Sequence, residues 1–181
     1  MKKNLIILFL MIALPIKAFA LIEVDITRGN LNPLPLAVSP LSIDDKSKKS
    51  FEKILKKENI GSEISIIVEN NLRTSGLFNP ISKDAFLQAP DIANLKPRFE
   101  DWNLIKAQAL ITGKVTYVDE KLRVEFRLWD VLAAKEMMAL AFTTVPNNWR
   151  RVGHIISDKV YERLTGEKGY FDTRIIYVAE E

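Results

Sequence analysis

The chain contains no cysteine, a single histidine and only seven glycines in 181 residues, and each scarcity closes a route to function. Without cysteine there are no disulfide staples, no thiolate metal ligands and no N-terminal thiol to carry a lipid anchor. His154 has no second histidine to work with, so it reads as a packed or surface helical residue and no metal site is assigned. The glycines never take the spacing of a dinucleotide or phosphate loop, and Ser39, Ser42, Ser62, Ser65, Ser75, Ser82 and Ser157 lack a G-x-S-x-G elbow. The adjacent acids Asp44-Asp45 and Glu100-Asp101 point apart on any regular backbone and sit in polar stretches, which makes them solvated charge. No catalytic residue and no cofactor is assigned.

Long apolar runs are also missing. Leu5 to Leu14 is unbroken, but Pro15 and Lys17 interrupt it well short of the roughly 20 residues that cross a bilayer. With Lys2 and Lys3 before it and Ala18-Phe19-Ala20 after it, the run reads as a signal peptide over 1–20, cleaved between Ala20 and Leu21, and the mature protein is expected to be exported with no stable membrane anchor. The formal charge of +3 belongs to that leader: once Lys2, Lys3 and Lys17 are gone, 23 basic residues face 23 acidic ones. A balanced chain has no general electrostatic reason to seek nucleic acid. The six lysines between Lys46 and Lys57 are diluted by Asp44, Asp45, Glu52 and Glu58, and read as a solvated loop and weak helix.

What is present is periodicity. Leu21 to Thr27 alternates, with Ile22, Val24 and Ile26 opposite Glu23, Asp25 and Thr27, a half-exposed strand. Leu36-Ala37-Val38 between prolines reads as a buried strand. Ser62 to Ser75 reads as a helix, with Ile60, Ile64, Ile67, Val68 and Leu72 at helical spacing, Ser62 as the expected N-cap and Gly76 in the left-handed position beyond it. Leu77-Phe78 predicts a brief strand, Asp84 to Leu87 a helical turn, Pro90 to Pro97 a loop and Phe99 to Ala107 a short helix. From Ala109 the period becomes two. Strands are predicted at Leu110 to Val118, Leu122 to Trp129 and Met137 to Thr144, an antiparallel meander, followed by a helix from Trp149 to Leu164 closed by Gly166. These elements imply an α/β fold of the α+β type: two layers, a mixed β-sheet with helices packed on one face.

Several stretches carry a family resemblance. They are Ile22 to Gly29, Pro35 to Pro40, Leu72 to Phe78, Thr112-Gly113-Lys114-Val115 and, most specifically, Trp149-Arg150-Arg151-Val152-Gly153-His154 with Tyr161 to Val178. Together they resemble the TolB family of the Tol-Pal cell-envelope system, in the family's order through essentially the whole mature chain. The resemblance implies a non-enzymatic periplasmic protein with an N-terminal α/β domain similar to anticodon-binding domains, then a six-bladed β-propeller that binds the lipoprotein Pal. It implies that the mature N-terminus, here Leu21, Ile22, Glu23, Val24, Asp25, Ile26, Thr27 and Arg28, is the segment recognised by the C-terminal domain of TolA. That segment is expected to switch between packed and free when Pal binds.

On this reading 21–166 is the N-terminal domain, and 167–181 is a linker with the opening strand, Thr173 to Val178, of a propeller that the chain lacks. The expected role links inner-membrane TolA to outer-membrane Pal in envelope integrity and in outer-membrane constriction during division. The competing readings are a periplasmic small-ligand-binding domain, which needs an apolar pocket with convergent polar groups, and an exported hydrolase, which needs clustered acids or a nucleophile and base.

Overall fold

A hydrophobic segment framed by prolines forms an interior strand of the sheet. In a computed structural model, which describes residues 32–173, β1 (Leu34–Val38) lies between β3 (Phe78–Pro80) and β4 (Ala109–Val118), parallel to both. β5 (Lys121–Asp130) and β6 (Lys135–Thr144) continue antiparallel from β4, giving the order β3-β1-β4-β5-β6. The short β2 (Ser42–Ile43) extends the line of β1 along β4, pairing Ser42 with Lys114. The sheet is therefore mixed, as its sequence implies. The hairpin between β4 and β5 turns on Asp119 and Glu120, both in the left-handed region at φ 51° and 59°, the geometry a two-residue hairpin requires.

Three helices cover one face: α1 (Asp45–Leu55), α2 (Ile60–Thr74) and α5 (Trp149–Thr165). Their apolar stripes meet Leu36, Val38, Ile111, Val115, Val124 and Phe126 in the main core, where Phe51, Ile60, Ile64, Leu72 and Val160 are fully buried. Alternation sends Ala37 and Leu110 to the opposite face. There they pack with Ala93, Trp102, Ala107 and Val131 beneath α3 (Pro90–Leu95) and α4 (Phe99–Leu104). Burying Trp102 requires a partner for its indole N–H, and Gln88 Oε1 accepts it at 2.7 Å while also accepting the Arg98 backbone N–H at 3.1 Å.

Two expectations need correction. The Pro90 to Pro97 stretch, expected as a loop, contains α3, because Pro90 occupies the first turn, where its missing N–H is no loss and its fixed φ favours the helix. The N-cap of α2 is Asn59 rather than Ser62: Asn59 Oδ1 accepts the Ser62 N–H at 3.1 Å, so Ile60 and Gly61 belong to the helix. The lysine-rich stretch is a true helix for a similar reason. Asp44 accepts both the backbone N–H of Ser47 (2.9 Å) and its hydroxyl (2.7 Å), and the first of these bonds leads in holding the Asp44 carboxyl below the usual range. Ser47 Oγ in turn accepts the Tyr117 N–H at 2.8 Å and ties α1 to β4.

The bend between β1 and β2 is closely packed. Leu41 is turned inward at 4% exposure, and its N–H donates to Ser65 Oγ of α2 at 3.0 Å. Room for it is made from two sides. A methyl group on Gly61 would overlap the Leu41 carbonyl, and one on Gly113 would overlap the Glu125 carbonyl and press on Leu41. On the other side of α2, Gly153 lets α5 approach Ile67, and Asn71 Nδ2 bridges His154 Nδ1 (2.9 Å) and Ser157 Oγ (3.0 Å).

Candidate functional site at the two ends of the domain

β1 is hydrogen-bonded on both sides within its first two residues. The Leu34 N–H donates to Leu77 O on one flank, and Pro35 O accepts from the Gln108 N–H on the other, each at 2.9 Å. A segment that precedes β1 in the chain therefore has no free place beside it in the sheet. Leu21 to Arg28, the expected partner-binding stretch, and the Ala20-Leu21 junction lie outside the described residues. Among the described residues β3 and β6 end the strand order, each paired on one side only, and the two-residue β2 pairs only with β4.

β6 is the long edge. From Met137 to Thr144 it carries no charge, and Leu140 is 37% exposed. A bulge interrupts its register with β5 between Leu128 and Trp129, and Arg163 Nε donates to Met137 O at 3.3 Å. These two features blunt the start of the edge in the way edge strands are commonly protected. Beside the other end of β6, a shallow groove of 230 Å³ lies between Phe142, Thr144, Arg151, Val152 and Ile155.

At the opposite terminus, Gly166 caps α5 in the left-handed conformation, φ 75°, its N–H donating to Glu162 O at 2.9 Å. The chain then reverses and runs back along α5. Tyr161, its phenol pushed up by burial, packs edge-to-face with Phe78, Tyr170 and Phe171. One turn nearer the helix start, Asp158 accepts the backbone N–H of Phe171 at 2.7 Å and of Asp172 at 3.0 Å. Two turns further, Arg151 holds the Asp172 carboxylate with Nε and Nη2, each at 3.1 Å, and this bond is the chief cause that raises the guanidinium pKa.

The side chains that carry chemistry elsewhere hold the fold here. His154 and Ser157 share Asn71, and Ser157 Oγ also donates to Gly153 O. Asp44 is a helix cap, and Asp101 pairs with Arg98 at 2.7 Å. Among the described residues no group of three or more acids and histidines is placed to hold a metal ion, and no helix is long and apolar enough to cross a membrane. Phe51, Ile60, Ile64 and Leu72 are fully buried at the sheet–helix interface. Sequence reasoning assigned nothing to Asp158 and did not pair Arg151 with Asp172; the only hint was that both charges fall in one motif.

Comparisons with known proteins agree with this architecture. The family described as the TolB amino-terminal domain matches residues 22–137. A curated relative, the Tol-Pal system protein TolB of Pelagibacter ubique (strain HTCC1062), is 85% identical over 179 residues, 99% of this chain and 40% of its own length. The chain thus spans well under half of that relative. The crystal structure of TolB from Acinetobacter baumannii superposes with a TM-score of 0.62 at 22% identity, covering 84% of this chain and 33% of that one, which supports the fold. The mixed sheet with its three long helices on one face and the matched residues lead to one conclusion: the chain belongs to the TolB family and carries its amino-terminal domain.

Proposed function

We propose that this chain is a non-enzymatic interaction protein of the Tol-Pal system, working in the periplasm after removal of residues 1–20, and that Leu21 to Arg28 is the segment that binds TolA. The observation that carries this is the occupancy of β1 on both flanks. With both flanks of β1 taken, a segment shortly before it cannot pair with β1 itself, and the alternating sequence Leu21 to Thr27 would be suited to adding to another protein's sheet edge, with Ile22, Val24 and Ile26 supplying one apolar face. Residues 21–166 form the domain and 167–181 lead onward. In the longer relatives, the portion beyond the span matched here would hold the propeller that engages Pal, and the complete protein would connect TolA to Pal in envelope integrity and division.

The test is capture by the C-terminal domain of TolA. Removing residues 21–28, or retaining 1–20, is expected to abolish retention while far-ultraviolet circular dichroism stays unchanged. A charge at Ile22 or Val24 is expected to weaken capture more than a change at Glu23. Undiminished retention after the deletion would overturn the proposal.

A further inference from the structure

We infer that residues 167–173 are a strap clasped to α5, and that the strap fixes the point from which the chain after Thr173 leaves the domain. A tether between structural units is ordinarily polar, exposed and without lasting contacts. This segment has three kinds of hold instead, all on one face of α5.

Asp158 is the clasp. Both of its carboxylate oxygens are used by the strap, one by the Phe171 N–H and one by the Asp172 N–H, and hydrogen bonds to an ionised acceptor are stronger than neutral ones. Gly169 passes so close to Asp158 that a methyl group there would overlap its Cα and side chain. Glycine at this point is what lets the clasp close. Tyr170 and Phe171 pack on each other and on Tyr161, which is 9% exposed. The bidentate Arg151–Asp172 pair then holds the end of the strap. Arg151, Asp158 and Tyr161 fall at helical spacing, so one rigid helix presents all three holds in line.

The consequence is mechanical. Released and extended, the seven residues Glu167 to Thr173 would reach about 24 Å; clasped, they add no slack. The position of Thr173 is therefore set by α5, which is itself tied to α2 through Asn71, His154 and Ser157.

Amide hydrogen exchange in the full chain tests this. The N–H groups of Phe171 and Asp172 are expected to be protected, and D158A is expected to speed their exchange by about tenfold or more while the amides of α5 keep their protection. In parallel, trypsin is expected to cut after Lys168 slowly in the parent and faster in D158A. R151A leaves the Asp158 clasp in place, so it should loosen Asp172 more than Phe171; this arm reads the strap even if D158A fails to fold. Exchange of both amides at the rate of an unstructured peptide in the parent, or protection unaffected by D158A and R151A alike, would overturn the inference.

Discussion

The β1–β2 bend and the strap on α5 are built from the same parts but set in different surroundings. Each uses glycine to bring backbone against a neighbour and one polar side chain to accept backbone N–H: Gly61 and Gly113 with Ser65, which accepts one, at the bend, and Gly169 with Asp158, which accepts two, at the strap. The bend is inside, where Ser65 is 1% and Leu41 4% exposed, so an unmet N–H there has no water to turn to. The strap faces solvent along much of its length. Interactions of one type are worth more where their loss leaves a buried group unsatisfied. The bend should govern whether the domain folds, and the strap what is attached to it and where.

The comparison can be broken from its strong side first. Gly113→Ala puts a Cβ against the Glu125 carbonyl and the Phe126 Cα, backbone that cannot step aside. A loss of about 3 kcal/mol is expected, read as a lower midpoint in urea denaturation; an unchanged midpoint would show that the sheet yields there. Ser65→Ala is the next step. It removes the acceptor of the buried Leu41 N–H and should lose roughly 1–3 kcal/mol. The strap variant D158A should lower the same midpoint least of all, since its effect is local. If it matched Ser65→Ala, the contrast between the two regions would fail.

Much of the fold was legible in the sequence where pattern is local. The period of two placed the β4–β5–β6 meander, and the stripe Val152, Ile155, Ile156, Val160, Leu164 with Gly166 placed α5 almost to the residue, though Ile155 is only half-buried. Reading stopped where a residue has two uses. Proline at position 90 punctuates a loop or opens a helix, and the choice rests on packing Ala93 against Trp102 and Leu110, a tertiary matter. Ser62 and Asn59 are both good caps; Asn59 prevails because the Gly61 backbone is needed against Leu41. Strand order is set by contacts far apart in the chain, so the placement of β1 between β3 and β4 had no local signal. The clasp was invisible for the same reason. Nothing near Asp158 in the sequence announces that Phe171 and Asp172 return to it.

On the proposed reading the segment before β1 would bind the partner and the clasp on α5 would hold shape, and one experiment separates them. In a titration of the isotope-labelled mature chain with the C-terminal domain of TolA, followed by amide resonances, the changes are expected to be confined to residues 21–28 and the few that join them to Leu34, with Met138 to Thr144 of β6 unmoved. Changes centred on the open edge of β6, with residues 21–28 unaffected, would contradict the assignment of partner binding to the segment before β1.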